Sequence, residues 1–294
     1  ARSALQQAAL VGRLFWDQAV EYLRHESATA LAGASDPSGD DLPAALAALY
    51  QRELVFTRAV SSFERTQEYL FKHALMRDVA YGSVLKRTRR SYHRLAAQWL
   101  EGVTLRSRRS DEFAALIAGH YDTAEEPEQA ARWYLQAGRQ AARSFANSEA
   151  LAAFSRAIEL LPPQPPAPRF TALAERERVY DLLGQRAEQA ADLQEMERLV
   201  AELNDPRAAA ETALRRSQYA LALGDYPGAR QAASSAALQA RAVQATAIEA
   251  AALLQEGQVL LRQCEYAAAL VQMQAAGELA RTAGDRSLGA DSLH

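Results

Sequence analysis

The stretch ALGDYPGA, residues 222–229, decides the fold because it recurs. Forty residues later the chain reads RQCEYAAA at 262–269, and forty earlier it reads LLGQ at 182–185. Gly184, Gly224 and Cys264 therefore share one register, as do Asp205, Ala245 and Asp285, and Tyr226 pairs with Tyr266. Between these points run amphipathic, alanine-rich segments poor in β-branched residues, which favours helix. A period of this length marks a solenoid of helical hairpins, because one hairpin cannot bury its apolar face alone and stacks on the next. Gly184 and Gly224 suit a left-handed turn between the two helices of a hairpin, and Cys264 stands where glycine would be easiest. Hairpins are expected at about 171–203, 207–243 and 247–282, in a repeat region over 171–294.

Working outward, PPQPPAPRF at 162–170 is the clearest break, and reads as a stiff interdomain linker or, because periodic helices resume at once, rather as a loop on a continuing superhelix. Before it, 111–161 holds three expected helices, DEFAALIAGHYDT, EPEQAARWYLQAGRQAARSF and NSEALAAFSRAIELL. Small Ala130, Ala137, Ala150 and Ala157 let helices approach, with Tyr134 and Phe154 filling the grooves. Pro127 and Asn147 sit at helix starts.

The N-terminal 1–105 differs in character. SALQQAALV (3–11) reads as a short buried helix, and Asp17 as the cap of a second helix carrying Ala19, Val20, Tyr22 and Leu23. Residues 26–40 look like a loop, and Asp40 or Asp41 starts a third helix with Pro43 in its first turn. Leu54–Phe56 and EYLFKH (68–73) are strand-like, with polar SSFERTQ between them, which predicts a two-stranded wing. Helix resumes at ALMRDVAYGSVL and RRSYHRLAAQWLEG. The expected fold class is mainly α: a small winged-helix domain with a short β-hairpin, then an α-solenoid of helical hairpins.

The chain has 294 residues, 49% of them apolar, and a net charge of -3. Residues 1–110 carry 16 basic against 11 acidic side chains, and 111–294 carry 17 against 25. The acidic repeat half argues against a solenoid that wraps nucleic acid. One cysteine, Cys264, excludes an internal disulfide and fits a reducing cytoplasm. No membrane span or signal peptide is visible. The opening Ala-Arg and the last residues, where a further repeat would begin, read as the ends of a fragment.

Catalytic motifs are missing: no phosphate-binding G-x-x-x-x-G-K-[ST] loop, no dinucleotide glycine fingerprint, no G-x-S-x-G, H-E-x-x-H or C-x-x-C. No lysine follows Lys86, so the chain alone is not expected to hydrolyse ATP. His73, in YLFKHALMRDVAY (69–81), sits at a strand-to-helix entry, where an imidazole serves either as a donor to phosphate or carboxylate or as a cap or core residue. Arg77 and Asp78 are placed for a local ion pair. Lys86, Arg87, Arg89 and Arg90 form a basic run, either a DNA face or a solvated helix surface. His120 lies near Asp122, Glu125, Glu126 and Glu128 without fixed metal-ligand spacing, while His25 and His93 are isolated. Cys264 lacks an activating neighbour. Trp133, Tyr134, Tyr219, Tyr226 and Tyr266 read first as packing between hairpins, and on a concave face as grips for a ligand.

The segments AALVGRLFWDQAVEYL, LAALYQRELVFTR, EYLFKHALMRDVAYGSVLKRTRRSYHRLAAQWLE and ALIAGHYDTAEEPEQAARWYLQAGRQAARSFANSEALAAFSRAIELLP carry a resemblance. Together they resemble the region that follows the nucleotide-binding domain in bacterial STAND ATPases. The resemblance is nearest to those fused to class III adenylate or guanylate cyclase domains, and MalT-like regulators share the design. It covers 1–161, and the remainder looks like extended tetratricopeptide repeats. The resemblance implies a winged helix folded back on an upstream nucleotide-binding domain in the same protein. It also implies a histidine, matching His73 in FKHALMRDVAY, that senses ADP phosphate in the off state. Ala74 stands where the related immune-receptor motif has an acidic residue. The resemblance further implies ATP-driven oligomerisation and a protein, peptide or small effector bound by the repeats. Three readings follow: a non-catalytic regulatory and sensor portion of a signalling ATPase, a plain repeat scaffold, or a DNA-binding regulator fragment. Nucleic acid and membrane are not expected partners.

Overall fold

The computed structural model describes residues 2–30 and 41–283. It divides into two compact units, residues 1–161 and 162–294.

The first unit opens with α1 (Arg2–Val11), β1 (Leu14–Trp16), α2 (Asp17–Ala30), α3 (Leu42–Gln51), β2 (Val55–Thr57) and β3 (Glu68–Phe71). The sheet is antiparallel in the order β1-β3-β2, with Leu14 opposite Leu70 and Val55 opposite Phe71. This is the element order of a winged helix, but the sheet has three strands where the sequence suggests two. At three residues β1 is too short to show an alternating pattern, and its partner lies more than fifty residues away. Asp17, the first residue of α2, accepts from Gln18 N at 2.7 Å, so it meets a backbone N–H at the opening of the helix as expected. Its Oδ1 accepts from Thr66 Oγ1 at 2.5 Å and Gln67 N at 3.0 Å, so it pins the loop between β2 and β3. The expected loop over 26–40 begins later, since α2 runs on to Ala30. The rest of that loop, like Asp285 and His294, lies outside the described residues.

The wing loop is docked rather than free. Phe63 packs against Trp16, Trp99 and Phe113 with ring centroids 4.9–5.8 Å apart. These rings come from β1, the wing loop, α5 (Lys86–Ser107) and α6 (Ser110–Thr123). Beneath them the fully buried Glu68 accepts from Trp16 Nε1 (3.1 Å), Ser62 N (2.7 Å) and Arg58 (2.6 Å). Burial alone would raise its pKa; the Ser62 and Arg58 bonds outweigh this and hold the carboxyl below its usual range. One continuous apolar core runs from α1 through α4 (Ala74–Gly82) and α5 to α7 (Pro127–Arg143). α8 (Asn147–Leu160) completes the unit. Asn147 is its first helical residue, but its side chain makes no capping bond.

Phe154 of α8 is fully buried against α7, where a Cβ on Gly138 would meet its ring at 2.5 Å. An aromatic ring locked in a core cannot step aside cheaply. Gly138→Ala is therefore expected to lower the stability of this unit by about 1–2 kcal/mol, despite the ~1 kcal/mol that alanine contributes in a helix. Urea unfolding followed by tryptophan fluorescence measures this, and an unchanged or raised midpoint would refute the packing argument.

The second unit consists of α9 (Pro166–Leu183), α10 (Arg186–Leu203), α11 (Pro206–Ala222), α12 (Tyr226–Ala242), α13 (Thr246–Arg262) and α14 (Tyr266–Ala283). Gly184, Asn204, Gly224, Gln244 and Cys264 all have positive φ, between 48° and 78°. They fall at intervals of twenty residues, so the forty-residue register of the sequence counts every second turn. The residue after four of these five turns serves two helices. Asp225 N donates to Ala220 O at 2.9 Å, closing α11, while its carbonyl accepts from Ala229 N at 2.9 Å, opening α12. Gln185, Ala245 and Glu265 do the same. Such a bond satisfies a carbonyl that a helix end would otherwise leave unpaired. In the first unit Glu125 and Phe145 take the same left-handed conformation, also twenty residues apart.

Counting back from Gln185, the next junction position is Pro165, which has no N–H to close a preceding helix. The pulse lapses there, next to the division between the units. The break is shorter than proline content suggests, because α9 starts at Pro166. The first-turn N–H groups of a helix have no intrahelical partner, so prolines 166 and 168 sacrifice nothing.

Candidate functional site

His73 occupies the N-cap position of α4, in extended backbone at the end of β3. Its carbonyl accepts from Met76 N at 3.1 Å, but its ring makes no capping bond and is exposed. Among the described residues the imidazole has no hydrogen-bond partner. The helix it opens is anchored from below, where Arg77 Nε donates to Ala9 O at 3.1 Å and its guanidinium lies 4.9 Å from the Tyr81 ring. Arg77 also pairs with Asp78 at 3.0 Å. The outer face of α4 leaves large apolar side chains uncovered within the unit, beside the exposed Asp78: Leu75 is 73% exposed, Val79 63%, and Leu85 just beyond the helix 77%. Leu75 and Val79 are one turn apart on the same stripe.

The basic run is half committed to structure. Arg89 Nε donates to Val84 O at 2.7 Å and its ring-stacked guanidinium covers Tyr81 at 4.8 Å, so it closes the C-terminal end of α4. Arg90 pairs with Glu125 in the turn before α7. Lys86 and Arg87 are exposed. In a winged helix the helix before the wing enters the groove, and here that helix is LPAALAALYQ, without a single basic residue.

Behind α4 lies an arrangement that sequence reading missed. His93 of α5 and His120 of α6 meet at Nδ1···Nδ1 2.8 Å, both buried, and Tyr81 Oη lies 3.1 Å from His93 Nε2. One imidazole must donate and the other accept, and burial beside Arg77 disfavours a positive charge on either ring. Burial, then the Arg77 and Arg89 charges, push His93 down to about 4. Burial, then His93, push His120 down to about 3, with an opposing contribution from the Val11 backbone. Four elements, α1, α4, α5 and α6, converge on these rings. The two histidines are 27 residues apart and share no motif, so only helix packing reveals them.

The aromatic candidates separate into packed and open positions. Trp133 is buried with Nε1 donating to Glu101, and Tyr134 donates to Asp122 at 3.2 Å. Tyr219 lies under Arg216 at 5.5 Å, and Tyr226 packs against a small cluster of Ala220, Ala229 and Val259. Tyr266, at the start of α14, is 65% exposed.

The second unit also buries a polar chain. Arg186 donates to Asp181 and Gln189, Gln189 Nε2 to Glu177 (2.7 Å), and Arg215 to Glu177 (2.6 Å) and Glu211 (2.7 Å). Burial disfavours the charge on Arg215, but Glu177 and Glu211 outweigh it and raise its pKa. This chain floors a cavity of about 450 Å³ lined by residues of α9, α11 and α13. Among the described residues, no group of three His, Cys, Asp or Glu side chains could hold a metal ion, and no helix is long and apolar enough to cross a membrane.

No protein-family model matches this chain, and no curated protein matches it. Among solved structures it is similar to the crystal structure of a Signal Transduction ATPase with Numerous Domains (STAND) protein with a tetratricopeptide repeat sensor from Pyrococcus horikoshii. The two share 12% identity and a TM-score of 0.47, over 99% of this chain and 46% of that one. This chain thus spans less than half the length of that structure.

Proposed function

We propose that this chain is the regulatory and sensor portion of a STAND-type signalling ATPase, itself non-catalytic. In this reading the winged-helix unit rests through the outer face of α4 on a nucleotide-binding domain of the same cytoplasmic protein, and the repeats bind an effector. The observation that carries it is the exposed His73 ring beside uncovered Leu75, Val79 and Leu85. Large apolar side chains left exposed near one another mark a place where another surface docks. The residues suit a phosphate: the imidazole has an N–H donor that no neighbour uses, and the first backbone N–H groups of α4 point from a helix N-terminus, where negative charge is favoured. ADP in the neighbouring domain would supply that phosphate. Effector binding that favours the undocked state then weakens ADP retention, since a ligand shifts an equilibrium only by its differential affinity. A cyclase output and assembly on ATP binding belong to the same proposal.

The test is calorimetric titration of ADP into the protein with its nucleotide-binding domain, wild type beside His73→Ala. Loss of one charge-assisted hydrogen bond, about 1.5–3 kcal/mol, corresponds to roughly ten- to hundredfold weaker ADP binding. Equal binding by both would leave a plain repeat scaffold. The DNA-binding reading is disfavoured by the uncharged α3 and the docked wing, since phosphate contacts require basic side chains there.

A further inference from the structure

We infer that the cavity enclosed by α2, α3 and the wing of the first unit is a binding site for a free α-amino acid with an apolar side chain. Its volume, about 420 Å³, falls within the usual range of ligand pockets, roughly 300–1,000 Å³. Two opposite charges face it without meeting. Glu21 of α2 and Arg65 of the wing loop both line it, both are exposed, and neither side chain has an ion-pair or hydrogen-bond partner among the described residues. Arg58, Arg109 and Arg143 of the same unit are each paired with a carboxylate, whereas Arg65 is not. An unmatched anion and an unmatched cation in one cavity are complementary to a ligand that carries both signs. An ammonium group suits Glu21, and Asp17, one turn earlier on the same face of α2, adds to that negative side. A carboxylate suits the planar fork of the Arg65 guanidinium.

The third wall selects the side chain. Leu42, Leu46 and Tyr50 follow one another at single-turn spacing along α3 and all line the cavity. Both leucines are buried, and α3 carries no charged residue. This wall offers an aliphatic or aromatic side chain an apolar surface and offers a charged one no partner. The cavity is also formed before any ligand arrives, because the wing loop is tied to α2 at three successive residues. Gln18 Nε2 donates to Arg65 O at 2.6 Å, and Asp17 Oδ1 accepts from Thr66 Oγ1 at 2.5 Å and Gln67 N at 3.0 Å. Asp17 N in turn donates to Gln67 O at 3.1 Å. The bond to its carbonyl fixes the point from which the Arg65 guanidinium projects. Ammonium, carboxylate and side chain thus each meet a different element: α2, the wing loop and α3.

Calorimetric titration of the chain with L-leucine, L-isoleucine, L-methionine and L-phenylalanine tests this. At least one is expected to bind saturably, with a Kd of about 1 mM or tighter. Its N-acetyl and amide derivatives each lack one charge and are expected to bind at least about tenfold more weakly. The free amino acid should lose a similar factor in Glu21→Gln and in Arg65→Gln. Each derivative also has a matched variant: acetylation should cost little more in Glu21→Gln, and amidation little more in Arg65→Gln. Both residues are exposed, so circular dichroism of the variants should match wild type. No saturable binding by any of the four, derivatives that bind as well as the parent, wild-type affinity in either variant, or an undiminished acetylation penalty in Glu21→Gln would overturn the proposal. His73 does not line this cavity, so the ADP titration with His73→Ala tests the sensor role separately.

Discussion

Arg215→Met is expected to destabilise the second unit by about 3–5 kcal/mol, the cost of stranding a buried carboxylate. The Arg215 side chain is 9% exposed and that of Glu177 3%, with 2.6 Å between them. Removing the guanidinium leaves Glu177 with only the Gln189 amide as a partner. All three tryptophans, Trp16, Trp99 and Trp133, lie in the first unit. Urea unfolding of Arg215→Met should therefore shift the far-UV circular dichroism transition while leaving the tryptophan fluorescence transition in place. Adding Glu177→Leu should recover most of the loss, because an apolar pair of similar size has no desolvation penalty to offset. A single variant within 1 kcal/mol of wild type, or a double variant no better than the single, would show that the pair does not hold the cavity floor.

The first unit is expected to lose about 4 kcal/mol of stability between pH 7.5 and pH 5 through His93 and His120 alone. Unfolded histidine titrates near 6.5, whereas in the fold His93 is held down to about 4 and His120 to about 3. Above pH 6.5 both states are neutral at these rings and nothing is lost. Below it the unfolded chain binds protons that the folded chain refuses, so stability falls as pH falls, until each folded pKa is passed. Each ring contributes about 1.4 kcal/mol per pH unit, which over the one and a half units from 6.5 to 5 gives about 2 kcal/mol for each. The charged groups around the rings act in the same direction, since Arg77 of α4 and Arg89 of α5 both oppose a second positive charge. Urea titrations by tryptophan fluorescence at pH 7.5, 6 and 5 measure this, with His93→Gln/His120→Gln as the reference. Equal pH dependence in the two proteins would mean that other groups carry the acid response. Because the rings join α1, α4, α5 and α6, protonation would loosen the support directly behind the His73 face.

How much of this was legible in the sequence depends on whether the cause is local. Gly184, Gly224 and Cys264 take the left-handed turn their register implies, because the sign of φ is set by the residue and its immediate neighbours. Helix content, the hairpins of the repeat region and the absence of catalytic motifs follow from the same local chemistry. His73 at a strand-to-helix entry is likewise a statement about adjacent residues. The third strand was hidden because three residues cannot display a period and their partner is far along the chain. The Arg89 and Arg90 side chains look like free charge in sequence, and only the fold turns them toward α4 and Glu125.

By itself, then, the sequence determined the helical-hairpin repeat, its turns and the winged-helix order of most elements, since backbone conformation and amphipathic period are properties of neighbouring residues. Tertiary structure alone decided that His93 meets His120, that Arg215 reaches Glu177 across 38 positions, and that Glu21 and Arg65 face one cavity. Those meetings depend on how each helix is rotated about its axis when it packs, and that rotation is fixed by the summed burial of the whole unit rather than by any one segment.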